Sequence, residues 1–200
     1  MSSYCQRVLY QSNTGNDQHT GTTKTQAWKT FKRLKTLDAG TTVEILEAGA
    51  FDQSMLIRAS GTEQSPVKIR FAPGNYHFYS DHVEKRQLHI TNTNDRPYEQ
   101  KSIALFFDSC RYVQVEGTGA KVILHGKMIE TFVNHCDHIN ISGLSFDYNR
   151  PTVSEWQITG VGEGYADALI HPTQSIASAT ALLHGSEMAG NISRMVIGRY

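Results

Sequence analysis

The sequence predicts an all-β fold laid down as a parallel β-helix, and three observations carry that prediction. From Thr42 onward, short β-branched runs alternate apolar and polar residues with a period of two. Gly, Asn, Asp or Pro punctuates the runs, as at Gly61, Pro73-Gly74, Gly117 and Gly143, and no helical stretch separates them. That rules out Rossmann and α/β-barrel folds, which need a helix between parallel strands. Third, FFDSCRYVQVEG (106–117) and FVNHCDHINISG (132–143) align without a gap at an offset of 26 residues. A period of this size marks stacked units that cannot bury their apolar faces alone.

The elements follow in chain order. Residues 1–25 read as an N-terminal loop region, because 13–25 (NTGNDQHTGTTKT) are polar and rich in Gly and Thr. Over 26–37, Ala27, Phe31, Leu34 and Leu37 recur at helical intervals, with Lys29, Lys32, Arg33 and Lys35 opposite them. This predicts a short amphipathic helix that caps the open end of the first coil and shields its strand edges. The coils then occupy 26–150. Val43 and Ile45, then Val67, Ile69 and Phe71, then Leu88 and Ile90 mark strands, as do Val113 with Val115 and Ile139 with Ile141. Arg150-Pro151 interrupts the pattern. Beyond it, VSEWQITGV and YADALIH flank Gly162-Glu163-Gly164 and predict an antiparallel hairpin. From Thr173 the chain loses its alternation. Residues 173–200 are expected to be an out-of-frame or irregular tail that leaves the hairpin sheet with an unpaired edge.

Composition narrows the function classes. The chain has 200 residues, with 19 Lys plus Arg against 19 Asp plus Glu, so its formal charge is zero. Affinity for nucleic acid or an anionic bilayer rests on concentrated positive charge, and neither partner is expected. No run approaches the ~18 apolar residues of a membrane span. MSSYCQRVLYQSNTGN lacks the apolar core of a signal peptide, so the chain as written carries no export signal. Cys5, Cys110 and Cys136 show no C-x-x-C spacing and signal neither a disulfide framework nor a zinc knuckle.

Chemistry-bearing residues are few. His135-Cys136-Asp137-His138 has the composition of a metal site, but four consecutive residues of a strand or corner point to different sides and do not converge. Cys136 repeats at Cys110, as a packing column does. Carboxylate pairs for general acid–base work are not legible at the 26-residue offset: Asp108 meets Asn134, Glu116 meets Ser142, and Asp137 meets Arg111. Asp147 and Glu155 read as solvated or paired with Arg150. Gly-x-Ser-x-Gly, P-loop and Gly-x-Gly-x-x-Gly motifs are absent. Tyr76, Tyr79, His82 and Trp156 are the aromatic candidates for stacking on sugars, against a plainer role in packing.

Longer stretches carry a resemblance. NDQHTGTTKTQAWKTFKRL, AGTTVEIL, EAGAF and IRASGTEQSPVKIRF resemble the opening coils of secreted, carbohydrate-active, right-handed β-helix proteins. APGNYHFY, TNTND and VEGTGAKVILHGKMIETFVNHCDHINISGLSFDYNRPTVSE resemble the α-1,3-galactosidases (glycoside hydrolase family 110-like) over residues 65–171. GAKVILHG (119–126) and FDYNRP (146–151) are the most specific parts. The resemblance implies a right-handed helix interrupted after residue 150 by the start of a small inserted β-barrel, so that 151–200 open that barrel. It implies a glycan substrate ending in α-galactose, inversion by two aspartates, and no metal or organic cofactor. Those aspartates lie beyond the matched region, so catalytic and substrate-binding residues of this chain remain unassigned. Members of the family are typically secreted or periplasmic. The expectation is the N-terminal part of such a hydrolase, inactive alone. The alternatives are a non-catalytic carbohydrate-binding or structural β-helix, or a polysaccharide-lyase-like protein, which would need a calcium-binding acidic cluster.

Overall fold

The computed structural model describes residues 7–89, 98–150, 156–163, 165–170 and 192–195. The chain divides into two compact units, Met1–Asn149 and Arg150–Tyr200. Among the described residues every regular element is a strand or a short 3₁₀ turn.

The first unit contains β1 (Arg7–Gln11), β2 (Leu37–Asp38), β3 (Thr41–Ile45), β4 (Gly49–Phe51), β5 (Met55–Ile57), β6 (Ala59–Ser60) and β7 (Val67–Phe71). It continues with β8 (Gly74–Tyr79), β9 (Glu84–Gln87), β10 (Gln100–Asp108), β11 (Arg111–His125), β12 (Ile129–Asn134) and β13 (Asp137–Tyr148). Pairing is parallel throughout except where β9 folds back against β10. One row runs β1–β3–β7–β11–β13, and a second runs β5–β10–β12.

The register explains the repeat. Val113 pairs with Ile139 and Phe106 with Phe132, both at the 26-residue offset. Thr42 pairs with Lys68 at the same offset. Between these two steps Val67 pairs with Val113, 46 residues on, and the surplus lies in the stretch carrying β9. Equal register puts like residues in columns: Leu9, Val43, Ile69, Val115 and Ile141 follow one another across five strands. The middle three are almost wholly buried, each such side chain contributing on the order of 1.5–3 kcal/mol. A second column runs Phe51, Phe78, Leu124 and Tyr148. Outward positions carry ion-pair ladders: Arg70 donates through Nε to Glu116 at 2.8 Å and through Nη1 to Glu44 at 3.2 Å.

Three expectations for this unit are corrected. The helix over 26–37 is replaced by 3₁₀ turns at Lys24–Gln26 and Phe31–Lys35. Phe31, Leu34 and Leu37 sit at strict three-residue spacing, which suits the three-residue turn of a 3₁₀ helix. Trp28 is already extended and bridges Gln11, while Leu37 pairs with Ala59. Asp17 fixes the entry by accepting backbone N–H groups of Lys29 and Thr30 and the Thr30 hydroxyl. The segment still buries Phe31 and Leu34. Residues 7–11, within the expected loop region, form β1. Its inward position Gln11 is polar, which breaks the alternation; the buried amide donates to the Lys29 carbonyl at 2.9 Å. The strand expected around Leu88 lies instead at Glu84–Gln87, and Ile90 falls outside the described residues.

In the second unit β14 (Trp156–Gly162) and β15 (Tyr165–Ile170) form an antiparallel hairpin with Gly162 opposite Tyr165. The tail expected to be irregular from 173 onward contributes a strand, β16 (Ile192–Met195), which pairs antiparallel with β15 and extends the hairpin to the three-stranded order β14–β15–β16. The rest of 173–200 lies outside the described residues.

Candidate functional site

The alternation GNYHFY in β8 turns Tyr76 and Phe78 inward and His77 and Tyr79 outward. Phe78 stacks on Phe51 at 5.5 Å and Phe51 on Phe31 at 4.7 Å, so an aromatic floor underlies this part of the surface. Above it opens a cleft of about 360 Å³ lined by Tyr79, His82, Asn13, Thr30 and the 50–53 turn, with Lys29 at its edge. Asn13 donates to the Ala48 carbonyl at 3.2 Å and ties that turn to the end of β1. Tyr79 lies flat on His125 at 4.3 Å, and His82 sits 6.0 Å from Tyr79. His77 Nδ1 and His125 Nε2 approach to 2.9 Å. Burial and the neighbouring His77 push the His125 pKa down. An aromatic face beside the Asn13 and Gln53 amides, the Asp52 carboxylate and the Lys29 ammonium suits a polyhydroxylated ligand: ring C–H groups on the aromatic, hydroxyls on the polar rim.

Of the aromatic candidates, Tyr79 and His82 come together here. Tyr76 does not: it is fully buried and its hydroxyl donates to the Ala72 carbonyl at 2.7 Å. Burial, with Glu47 nearby, pushes its pKa up to about 12. The Trp156 side chain lies outside the described residues. Sequence reasoning missed His77, His125, Asp52 and Asn13, which no motif connects.

The 135–138 cluster diverges. Cys136 points inward, its sulfur accepting the Cys110 N–H at 3.2 Å, while Cys110 donates its thiol to the Ile57 carbonyl. Burial, with Cys136 alongside, raises the Cys110 thiol to about 12. His138 stacks on Tyr112 at 4.3 Å, and its Nδ1 meets Asp137 at 2.7 Å. Among the described residues no three His, Cys, Asp or Glu side chains converge on one point.

The carboxylates pair with bases. Asp147, expected to be solvated or paired with Arg150, is exposed and sits 3.2 Å from Lys121; Glu155 lies outside the described residues. Glu44 and Glu116 share Arg70. Asp108 accepts two bonds from Arg58, at 2.9 and 2.6 Å, and one from Asn134 at 2.9 Å. The Arg58 bonds foremost, then Asn134, hold its carboxyl below the usual range. A depressed folded pKa contributes stability above the unfolded value of about 3.9, and that stability is lost as pH falls through the folded pKa. Thermal melts from pH 7 to 2 should therefore show Asp108→Asn less stable at neutral pH and less sensitive to acid. Parallel curves for the two proteins would refute the assignment.

No family model matches the chain. Curated relatives do. α-1,3-Galactosidase A of Akkermansia muciniphila is 32% identical over 151 residues, 74% of this chain and 25% of that protein. The Bacteroides thetaiotaomicron α-1,3-galactosidase A is 27% identical over 133 residues, covering 64% of this chain and 23% of its own length. The Streptomyces avermitilis α-1,3-galactosidase A is 32% identical over 114 residues, 55% and 18%. Over this stretch the chain is similar to α-1,3-galactosidases. It spans about a quarter of the length of the Akkermansia and Bacteroides relatives. The 151-residue match to the Akkermansia α-1,3-galactosidase extends well beyond any single motif.

Proposed function

We propose that the chain is the N-terminal part of an inverting α-1,3-galactosidase-like glycoside hydrolase acting on terminal α-galactose of glycans. The observation that carries this is the 32% identity over 151 residues to a protein named for that activity. In this reading residues 26–150 are the first coils of a right-handed parallel β-helix, and 151–200 open an inserted β-barrel. The parallel rows of strands in the first unit and the three antiparallel strands of the second support it. The cleft at Tyr79 and His82 forms a wall of the sugar site.

Inversion needs a carboxylic acid and a carboxylate about 6.5–9.5 Å apart, with room for water between them. Asp108, Asp147, Glu44 and Glu116 are each engaged by Arg or Lys in the first unit, so none of the four presents an unengaged carboxyl to a sugar. In this reading the acid and base are supplied outside this chain, where the family resemblance places the two aspartates, and the chain alone binds without turnover. Purified chain incubated with an α-1,3-linked galactosyl disaccharide should release no galactose, while NMR titration shows binding that Tyr79→Ala weakens. Galactose release by the chain would overturn its inactivity. Absence of binding would remove the cleft from the reading, and failure of the full-length locus to release galactose would remove the hydrolase.

A further inference from the structure

The cluster that looks like a metal site in sequence diverges, whereas two histidines 48 residues apart converge. In the parallel pairing of β8 with β11, Tyr79 is level with His125 and His77 with Ile123. His77 and His125 are thus diagonal neighbours on adjacent strands, both half-buried. Their rings tilt 44° to one another with centroids 5.2 Å apart. The Tyr79 stack fixes the plane of His125.

The 2.9 Å between Nδ1 of His77 and Nε2 of His125 is informative. Imidazole nitrogen binds first-row divalent ions at about 2.0–2.1 Å; two such bonds at a right angle hold the nitrogens about 2.9 Å apart, and at the tetrahedral angle about 3.3 Å. The observed spacing is that of an N–H···N hydrogen bond and equally that of a cis pair in a square-planar or tetragonal site, the geometry that Ni²⁺ and Cu²⁺ adopt. We propose that His77 and His125 form a bidentate site for a divalent transition ion of this type, water filling the remaining positions. Without the ion, one ring donates N–H to the other. With it, the donor ring shifts its proton to its far nitrogen, so both rings stay neutral, both lone pairs face the ion, and no net proton is released. Burial already favours the neutral form of His125. Ala50, level with His77, and Tyr79 both line the cleft, so the bound ion lies along its margin. The site rests on this geometry alone and stands whether or not the chain belongs to a hydrolase.

The test is calorimetric titration of the untagged 200-residue chain with NiCl₂ at neutral pH. One saturable site is expected, lost in His77→Gln and in His125→Gln and kept in His89→Gln, an exposed histidine away from the pair. Circular dichroism checks that each variant is folded. The Cu²⁺ electron paramagnetic resonance spectrum should show coupling to two imidazole nitrogens, a signal lost in either variant. No saturable binding, or binding that survives both substitutions in folded protein, overturns the site.

Discussion

Replacing Phe78 with alanine is expected to destabilise the first unit by about 3–5 kcal/mol, the range for deleting a fully buried aromatic ring. Phe78 has no exposed surface and lies at the centre of an aromatic stack, level with Phe51 on one strand and Leu124 on the next. Phe51 in turn contacts Phe31 and Tyr76. The cavity left by the ring cannot close easily, because hydrogen-bonded ladders hold neighbouring strands about 4.8 Å apart. The cost should therefore fall at the upper end. Urea denaturation measures it, with Tyr98→Ala, 86% exposed, as a control expected within about 0.5 kcal/mol of the parent. A Phe78→Ala loss no larger than the control's would show that the stack is not packed as described.

Gly61→Ala should be the second most damaging change, at about 1–3 kcal/mol for one added methyl group. A Cβ on Gly61 would lie 2.5 Å from the Tyr112 carbonyl oxygen, 2.9 Å from the Val67 nitrogen and 3.0 Å from the Arg111 carbonyl oxygen. All three are backbone atoms, so no side chain can swing away to make room. Gly61 also donates its N–H to Arg111 at 2.9 Å, which draws this corner against β11. Making room means lengthening that bond and loosening the short β6–β11 pairing. Thermal denaturation beside Ser60→Ala, its exposed neighbour, reads the effect. Equal melting temperatures for the two variants would disprove the close approach.

How far each feature was legible depends on whether its cause is local. The 26-residue repeat was readable because parallel strands in equal register demand like residues at like positions, and Phe106/Phe132 and Val113/Ile139 supply them directly. The hairpin was readable from Gly162-Glu163-Gly164 between two alternating runs. The earlier repeat, Thr42 to Lys68, went unrecognised because the next step stretches to 46 residues and hides the period. β1 was missed because a buried amide, which donates to a carbonyl 18 residues away, stands where an apolar residue was expected. The 3₁₀ turns were read as an α-helix because apolar spacing of three and four residues fits both.

Of the cleft, only Tyr79 and His82 were legible, as separate aromatic candidates; their meeting with the polar rim was not. Asn13, Thr30, Asp52 and Tyr79 meet only because successive passes of the chain stack with unequal steps between them. The His77–His125 approach has the same origin, a diagonal relation across the 46-residue step. By itself the sequence determined the all-β class, the alternation of buried and exposed faces, the repeat, and the resemblance to α-1,3-galactosidases, since each is written in neighbouring residues or in a constant offset. Tertiary structure alone decided which outward side chains meet, because that depends on the length of every intervening loop, and loop length leaves no periodic mark in the residues themselves.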